Sequence, residues 1–391
     1  MVKKRNILEY IIKDLEQKMV FIGGPRQVGK TTLSTRLISE YFKKISYLLW
    51  DNREDRKKIL DYRFDFESEL LVFDEIHKYK NWKNHIKGIY DKFKEKYKII
   101  VTGSSRLNIF RKGGDSLQGR YHYHTLFPFS YCELENNRKK ELEINNLLSF
   151  KSGCSRSVFK DLYNYGGFPE PLIKQNEIFL RRWHNEKLER LFREDIRDME
   201  NIKDINSLKL LSDFIPERTS SLLSLNSLRE DLSVSHKSVA KWIDILDSFY
   251  YTFRIYPYAS KTYKSLKKEP KLYLYDWSEI KDEGKRFENM IAVHLLKFTN
   301  FLYENYGYKT RLNFLRDIEK READFLVSVD DKIWFSAEVK LNDIEVSPNL
   351  KYFNKKLNIT QSYQIVFKKD IDIYKDGVRV ISCDKFLTGL I

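Results

Sequence analysis

The stretch Met19-Val20-Phe21-Ile22-Gly23-Gly24-Pro25-Arg26-Gln27-Val28-Gly29-Lys30-Thr31-Thr32 decides the fold at the N-terminal end of this chain. A short apolar run of buried-strand type leads straight into GxxxxGK[ST], and helix-forming sequence continues to about Phe42. The glycines let successive backbone N–H groups curl around phosphate oxygens, Lys30 reaches the β and γ phosphates, and the Thr31 hydroxyl is placed to ligate magnesium. Gly24, Pro25, Arg26, Gln27, Val28, Gly29, Lys30, Thr31 and Thr32 are therefore the expected cradle for ATP and Mg²⁺, with a helix dipole aimed at the same anion.

A nucleotide site of this kind needs a second buried strand that ends in an acid, and Glu69-Leu70-Leu71-Val72-Phe73-Asp74-Glu75 supplies it. Asp74 is expected to hold magnesium through water. Glu75, one residue on, is the expected general base that orients and activates the attacking water. A third strand, Lys98-Ile99-Ile100-Val101-Thr102, runs into Gly103-Ser104-Ser105-Arg106, which offers Thr102 or Ser104 as a γ-phosphate sensor. Arg106 and Arg120 are candidates to neutralise transition-state charge, within one subunit or across to a neighbour in a homo-oligomer.

The runs GGPRQVGKTTL, VFDEIHKYKNWKNHIKGIYD, IIVTGSSRL and LQGRYHYHTLFPFSYCEL together resemble the AAA-like P-loop ATPases of bacteria and archaea that carry a C-terminal DUF4143 region. Gly166-Gly167-Phe168-Pro169-Glu170 is similar to that family's GG(Y/F)P motif, and Phe192-Arg193-Glu194-Asp195-Ile196-Arg197 to its R-x-D-I helix. The resemblance covers essentially the whole chain. It implies that Asp74 and Glu75 are the magnesium acid and catalytic base, as the strand pattern already suggests. It also implies a C-terminal region similar to PD-(D/E)XK nucleases.

The chain has 391 residues, long enough for two to four domains, and 42% hydrophobic residues with 15% aromatic supply real cores. No apolar stretch is long enough to span a bilayer, and charges interrupt the N-terminal MVKKRNILEYIIKDLEQ, so neither a signal peptide nor a membrane segment is expected. Cys132, Cys154 and Cys383 lie far apart, which fits a reducing cytoplasm better than a disulfide framework or a zinc ribbon. A formal net charge of +15 attracts polyanions, and nucleic acid, DNA ahead of RNA, is the expected partner.

Beyond the polar segment 135–140 the pattern turns helical. Leu225 to Leu232 and His236 to Leu246 read as two helices joined by Ser233-Val234-Ser235, with Val239, Trp242, Ile243 and Leu246 on one face and Ser235 as N-cap. The aromatic run Phe249 to Ile255 then reads as the wing of a winged helix, which would offer His236, Lys237 and Lys241 to a groove. The expected architecture is a multidomain α/β protein: an ASCE/AAA-like parallel sheet over 1–140, a helical lid over 141–215, a winged helix over 216–262, and an α/β nuclease-like domain over 270–391.

In that last segment Glu288, Asp324 and Glu338-Val339-Lys340 follow the order E, D, ExK. In such chemistry carboxylates hold Mg²⁺ or Mn²⁺ and the lysine serves the attacking water near the scissile phosphate. Alternation puts Ile333, Phe335, Ala337, Val339 and Leu341 on one face and Glu338 with Lys340 on the other. Ala323, Phe325, Val327 and Val329 form the matching apolar face of the preceding strand, opposite Asp324. One shared core then requires Phe325 with Ala337, Val327 with Phe335 and Val329 with Ile333, which sets Asp324 across from Glu338. A bare two-residue turn would slip that register, so either a three-residue connection or a bulge is demanded. The alternative is a non-nucleolytic signalling or scaffold ATPase whose C-terminal domain only binds a partner.

Overall fold

The computed structural model describes residues 3–103, 117–136, 144–196, 204–259 and 268–391. The chain divides into two compact units, 1–128 with 248–250, and 129–247 with 251–391. Ser104, Arg106 and Arg197, singled out in the sequence, lie outside the described residues, as do the side chains of Glu194 and Asp195.

The first unit is built on β1 (Met19–Gly23), β2 (Ile45–Leu49), β3 (Leu70–Asp74), β4 (Lys98–Thr102) and β5 (Tyr121–Thr125). They form one parallel sheet in the order β2-β3-β4-β1-β5. β1 and β3 are buried along their full length, as near-continuous apolar strands of a parallel sheet must be. The sheet is covered on one side by a cluster that includes Phe21, Phe73, Trp82, Ile86, Ile89 and Val101. β4 lies between β1 and β3, so the loop after β1, the acid ending β3 and the threonine ending β4 share one carboxyl edge. Ligands of open parallel sheets bind at such an edge.

The helix expected to run to Phe42 is instead a short α turn, Lys30–Thr32, a π turn, Leu33–Leu37, and a 3-10 turn, Ile38–Glu40. Its sequence explains the loosening: the Ser34 and Thr35 hydroxyls bond back to the carbonyls of Lys30 at 3.0 Å and Thr31 at 2.6 Å, competing with the regular ladder.

The second unit holds β6 (Thr252–Pro257), β7 (Lys271–Leu274), β8 (Thr310–Arg316), β9 (Glu322–Val329), β10 (Lys332–Lys340), β11 (Ser362–Val366), β12 (Asp372–Lys375) and β13 (Val378–Ser382). Their order is β12-β13-β11-β10-β9-β8-β6-β7. The helix Glu283–Tyr306 precedes β8, and the helix Pro348–Leu357 connects β10 to the parallel β11.

The two expected middle helices are present as Leu225–Asp231 and His236–Ser248, with Val239, Trp242, Ile243 and Leu246 buried and the Ser235 hydroxyl accepting from Ser238 N–H at 3.0 Å. The expected wing differs. β6 pairs with β7 and also, in parallel, with β8, so the aromatic run continues the large sheet across the expected break between 262 and 270. Phe253, Ile255 and all four residues of β7 are buried, and a free wing would leave them wet. The segments expected as lid and nuclease-like domain fall within this second unit, as does the expected winged helix apart from residues 248–250.

Candidate functional site

Backbone geometry makes the nucleotide loop first. Gly24 has φ +135°, and a Cβ there would lie 2.3 Å from the carbonyl oxygen of Leu126, so no side chain fits. Gln27 and Gly29 are also left-handed, at φ 59° and 100°, which turns the loop back on itself before the helical segment starts at Lys30. Pro25 and Val28 are buried, Arg26 and Gln27 partly so, and Thr31 and Thr32 stand at the rim. Lys30 Nζ donates to the carbonyls of Gly24 at 2.9 Å and Pro25 at 2.7 Å, which holds the ammonium inside the cradle. Buried Arg5 braces the loop from beneath through the carbonyls of Val28 and Phe127.

Asp74 is the hub of the acid side. Its Oδ2 accepts from Thr31 Oγ1 at 3.0 Å and from the Tyr47 hydroxyl at 2.7 Å, while its Oδ1 accepts from Thr102 Oγ1. The register makes this convergence possible, because Leu49, Asp74 and Thr102 lie side by side across β2, β3 and β4, and Ile22 of β1 pairs with Thr102. Burial, and then the bond to Asp74, push the Tyr47 phenol upward, so it stays a donor. Thr31 and Asp74 present hard oxygen atoms that fit Mg²⁺.

Glu75, directly after β3, sits in a left-handed conformation, φ 58°, which ends the strand. Its backbone N–H bonds to the Thr102 carbonyl at 3.1 Å. Burial first and the Asp74 charge second raise its carboxyl above the ordinary range, against the pull of Lys30, Lys78 and Arg26. Its Oε2 accepts no hydrogen bond among the described residues, and His77 Nε2 stands 3.4 Å away. A buried carboxylate oxygen with spare acceptor capacity is what a general base for water requires.

Arg120 departs from the first of the two arrangements expected for it, the one within a single subunit. Its carbonyl accepts from Met19 N–H at the amino end of β1, a strand length from the phosphate loop, and its guanidinium forms a fork on Asp91 at 2.8 and 3.1 Å. It does not reach the nucleotide edge of its own unit. Tyr47, Arg5 and Thr102's tie to Asp74 are the parts the motifs alone did not define.

In the second unit Asp324 and Glu338 converge as expected. Phe325 pairs with Ala337 and Val327 with Phe335, Val339 N–H donates to Asp324 Oδ2 at 2.9 Å, and Asp324 N–H to Glu338 Oε2 at 3.3 Å. The expected pairing of Val329 with Ile333 is replaced by Val329 with Lys332 and Ser328 with Ile333. A two-residue turn with Asp330 and Asp331 both at positive φ closes the hairpin, and an irregularity between Ile333 and Phe335 restores the register. Lys340 Nζ pairs with Glu338 Oε1 at 2.9 Å, and Glu288 reaches the cluster from the helix Glu283–Tyr306. Burial, followed by the Asp324 charge, pushes both Glu288 and Glu338 up to about 7.

One participant was not expected. Lys271 Nζ from β7 lies among Glu288, Asp324 and Glu322 at 3.4, 3.3 and 3.6 Å. Of the three acids expected to hold Mg²⁺ or Mn²⁺, Glu288 and Asp324 thus already lie against a buried ammonium and Glu338 pairs with Lys340, and the cluster as folded does not fit a divalent ion.

The parallel order, the phosphate loop and the acid hub define a P-loop ATPase domain. Residues 16–135 match the family model of an AAA domain, 156–278 that of a domain of unknown function, DUF8612, and 283–386 that of another, DUF4143. An uncharacterized protein of Methanocaldococcus jannaschii is 24% identical over 374 residues, 88% of this chain and 80% of the relative. One from Haemophilus influenzae is 21% identical over 97% of each chain. Among solved structures, Pif1 helicase from Bacteroides is 15% identical, at a TM-score of 0.22 over 32% of this chain and 42% of the helicase. Pif1 helicase from Candida albicans is 13% identical, at a TM-score of 0.23 over 45% of this chain and 47% of that one. The chain spans under half of either helicase. No helix among the described residues is long and apolar enough to cross a membrane.

Proposed function

We propose that this protein is a magnesium-dependent ATPase that acts on nucleic acid, DNA ahead of RNA, and whose nuclease-like C-terminal region engages its partner without cutting it. The observation that carries the ATPase reading is the meeting of Thr31, Tyr47 and Thr102 on Asp74, with Glu75 half-buried next along the chain and Lys30 held in the loop. In this reading Lys30 binds the β and γ phosphates, Thr31 and Asp74 hold Mg²⁺, which screens phosphate charge, and Thr102 senses the γ phosphate. Glu75 takes the proton of the attacking water.

The +15 charge supports a polyanionic partner. The helix pair Leu225–Asp231 and His236–Ser248 is the proposed contact, through Lys237 and Lys241. The helix, three antiparallel strands, helix and parallel strand from 283 to 366 support a nuclease-like architecture, and the convergence of Asp324 with Glu338 favours cleavage as the second reading. Lys271 counts against it.

ATP turnover measured with and without Mg²⁺ and labelled single-stranded or duplex DNA tests this proposal. Mg²⁺-dependent turnover is expected, together with DNA binding that weakens steeply between about 50 and 200 mM salt, because dispersed lysines act by counterion release. Absence of turnover, or affinity that is flat with salt, contradicts it.

A further inference from the structure

Lys271 is 4% exposed, and its place is fixed by backbone on both sides. It pairs with Ile255 of β6 and bridges to Leu222, and three residues on, Leu274 gives its N–H to Asn289 Oδ1 at 2.8 Å and takes Asn289 Nδ2 on its carbonyl at 2.7 Å. Asn289 follows Glu288 on the long helix, so the contact that docks β7 also sets the lysine against the acid.

The ammonium is nearly equidistant from Glu288 Oε1, Asp324 Oδ1 and Glu322 Oε2, at 3.4, 3.3 and 3.6 Å, and so occupies their common centre instead of pairing with one. Tyr273 hydroxyl donates to the same Glu288 oxygen at 2.8 Å. The outer carboxylates have cations of their own, Lys340 on Glu338 and Arg316 on Glu322. Mg²⁺ binds oxygen at about 2.0–2.1 Å and Mn²⁺ needs a similar octahedral oxygen shell. An ion bridging Asp324 and Glu288 would need the volume that the ammonium fills, and would sit beside a buried like charge. The same unit repeats the device elsewhere: Lys187 Nζ, 2.8 Å from Asp276 Oδ2, also pairs with Glu279, in a group where His184, Asp276 and Glu279 bring ligand-type atoms within 4.8 Å of one another.

We propose that Lys271 is the resident cation of the C-terminal cluster: its ammonium holds Glu288, Glu322 and Asp324 in place of a divalent ion, and the site takes no Mg²⁺ or Mn²⁺ while Lys271 is present. Lys271 is the device that turns a metal-type acid constellation into a self-neutralised one, and its removal unmasks a latent metal site. The inference supplies a cause for the non-cutting reading but is read out by metal counting instead of cleavage, so either can fail alone. It is independent of ATP hydrolysis.

The test counts Mn²⁺ bound to the nucleotide-free full chain by electron paramagnetic resonance. Wild type and Asp324→Asn are expected to bind the same number, while Lys271→Met gains one ion that is lost again in Lys271→Met with Asp324→Asn. A wild-type count that exceeds that of Asp324→Asn by one overturns the proposal, and so does a folded Lys271→Met that gains no ion. Should Lys271→Met fail to fold, Lys271→Gln, which keeps a polar head without the charge, takes its place under the same two criteria.

Discussion

At the scale of single residues, Asp74 is oriented by three hydroxyls drawn from three different elements: the nucleotide loop, β2 and β4. Outer partners that orient a metal-binding carboxylate typically change metal affinity or activity by about 10–100-fold when removed. Tyr47→Phe is therefore expected to raise the Mg²⁺ concentration for half-maximal ATP turnover about tenfold while leaving metal-free nucleotide binding unchanged. An unaltered Mg²⁺ dependence in a folded variant would remove Tyr47 from this role. Two acids at the end of a buried strand are common in isolation, and Asp74 and Glu75 were legible because a P-loop precedes them. Tyr47 was not, since it lies 27 residues before Asp74 and only strand pairing brings its hydroxyl there. Arg120 directly precedes β5 and so lies at the amino edge of the parallel sheet, which Gln118-Gly119-Arg120 alone did not disclose because the strand after it was not read.

At the scale of elements, the β9–β10 hairpin shows how burial selects register. Both apolar faces had to meet one core, so the alternation required one extra residue somewhere between Ala323 and Leu341. The sequence did not say whether the turn or a bulge would supply it, because both satisfy burial equally. The chain uses a two-residue turn with Asp330 at φ 48° and Asp331 at φ 65°, and places the irregularity beside Trp334. Both positive φ values define a type I′ turn, whose twist suits a hairpin and which β-branched residues resist. Asp331→Val should cost about 1–2 kcal/mol, seen as a lower urea midpoint, whereas Asp331→Gly should be neutral or better. Equal midpoints for the valine and glycine variants would contradict the assigned turn. Lys271 was illegible at this scale for a related reason: in the short β7, whose four residues are all buried, alternation does not tell a neutralising lysine from an exposed one.

At the scale of the whole molecule, the chain is a small parallel sheet in one unit and a mixed eight-stranded sheet in the other. In the first unit β1, β3 and β4 were readable because each runs into a polar motif, whereas β2 and β5 end in none and were not read. The second was readable only in its C-terminal half, since the run from Thr252 is shared between a local hairpin and a sheet completed by residues far downstream. The central claim is that the first unit hydrolyses ATP with Glu75 as base and Lys30 as phosphate ligand. Single-turnover ATP hydrolysis and nucleotide binding by the full chain test it directly. Glu75→Gln is expected to bind ATP as wild type does and to hydrolyse it on the order of a hundredfold more slowly or worse, whereas Lys30→Ala loses tight binding altogether. Wild-type single-turnover rates in Glu75→Gln, or undiminished ATP affinity in Lys30→Ala, would contradict the account.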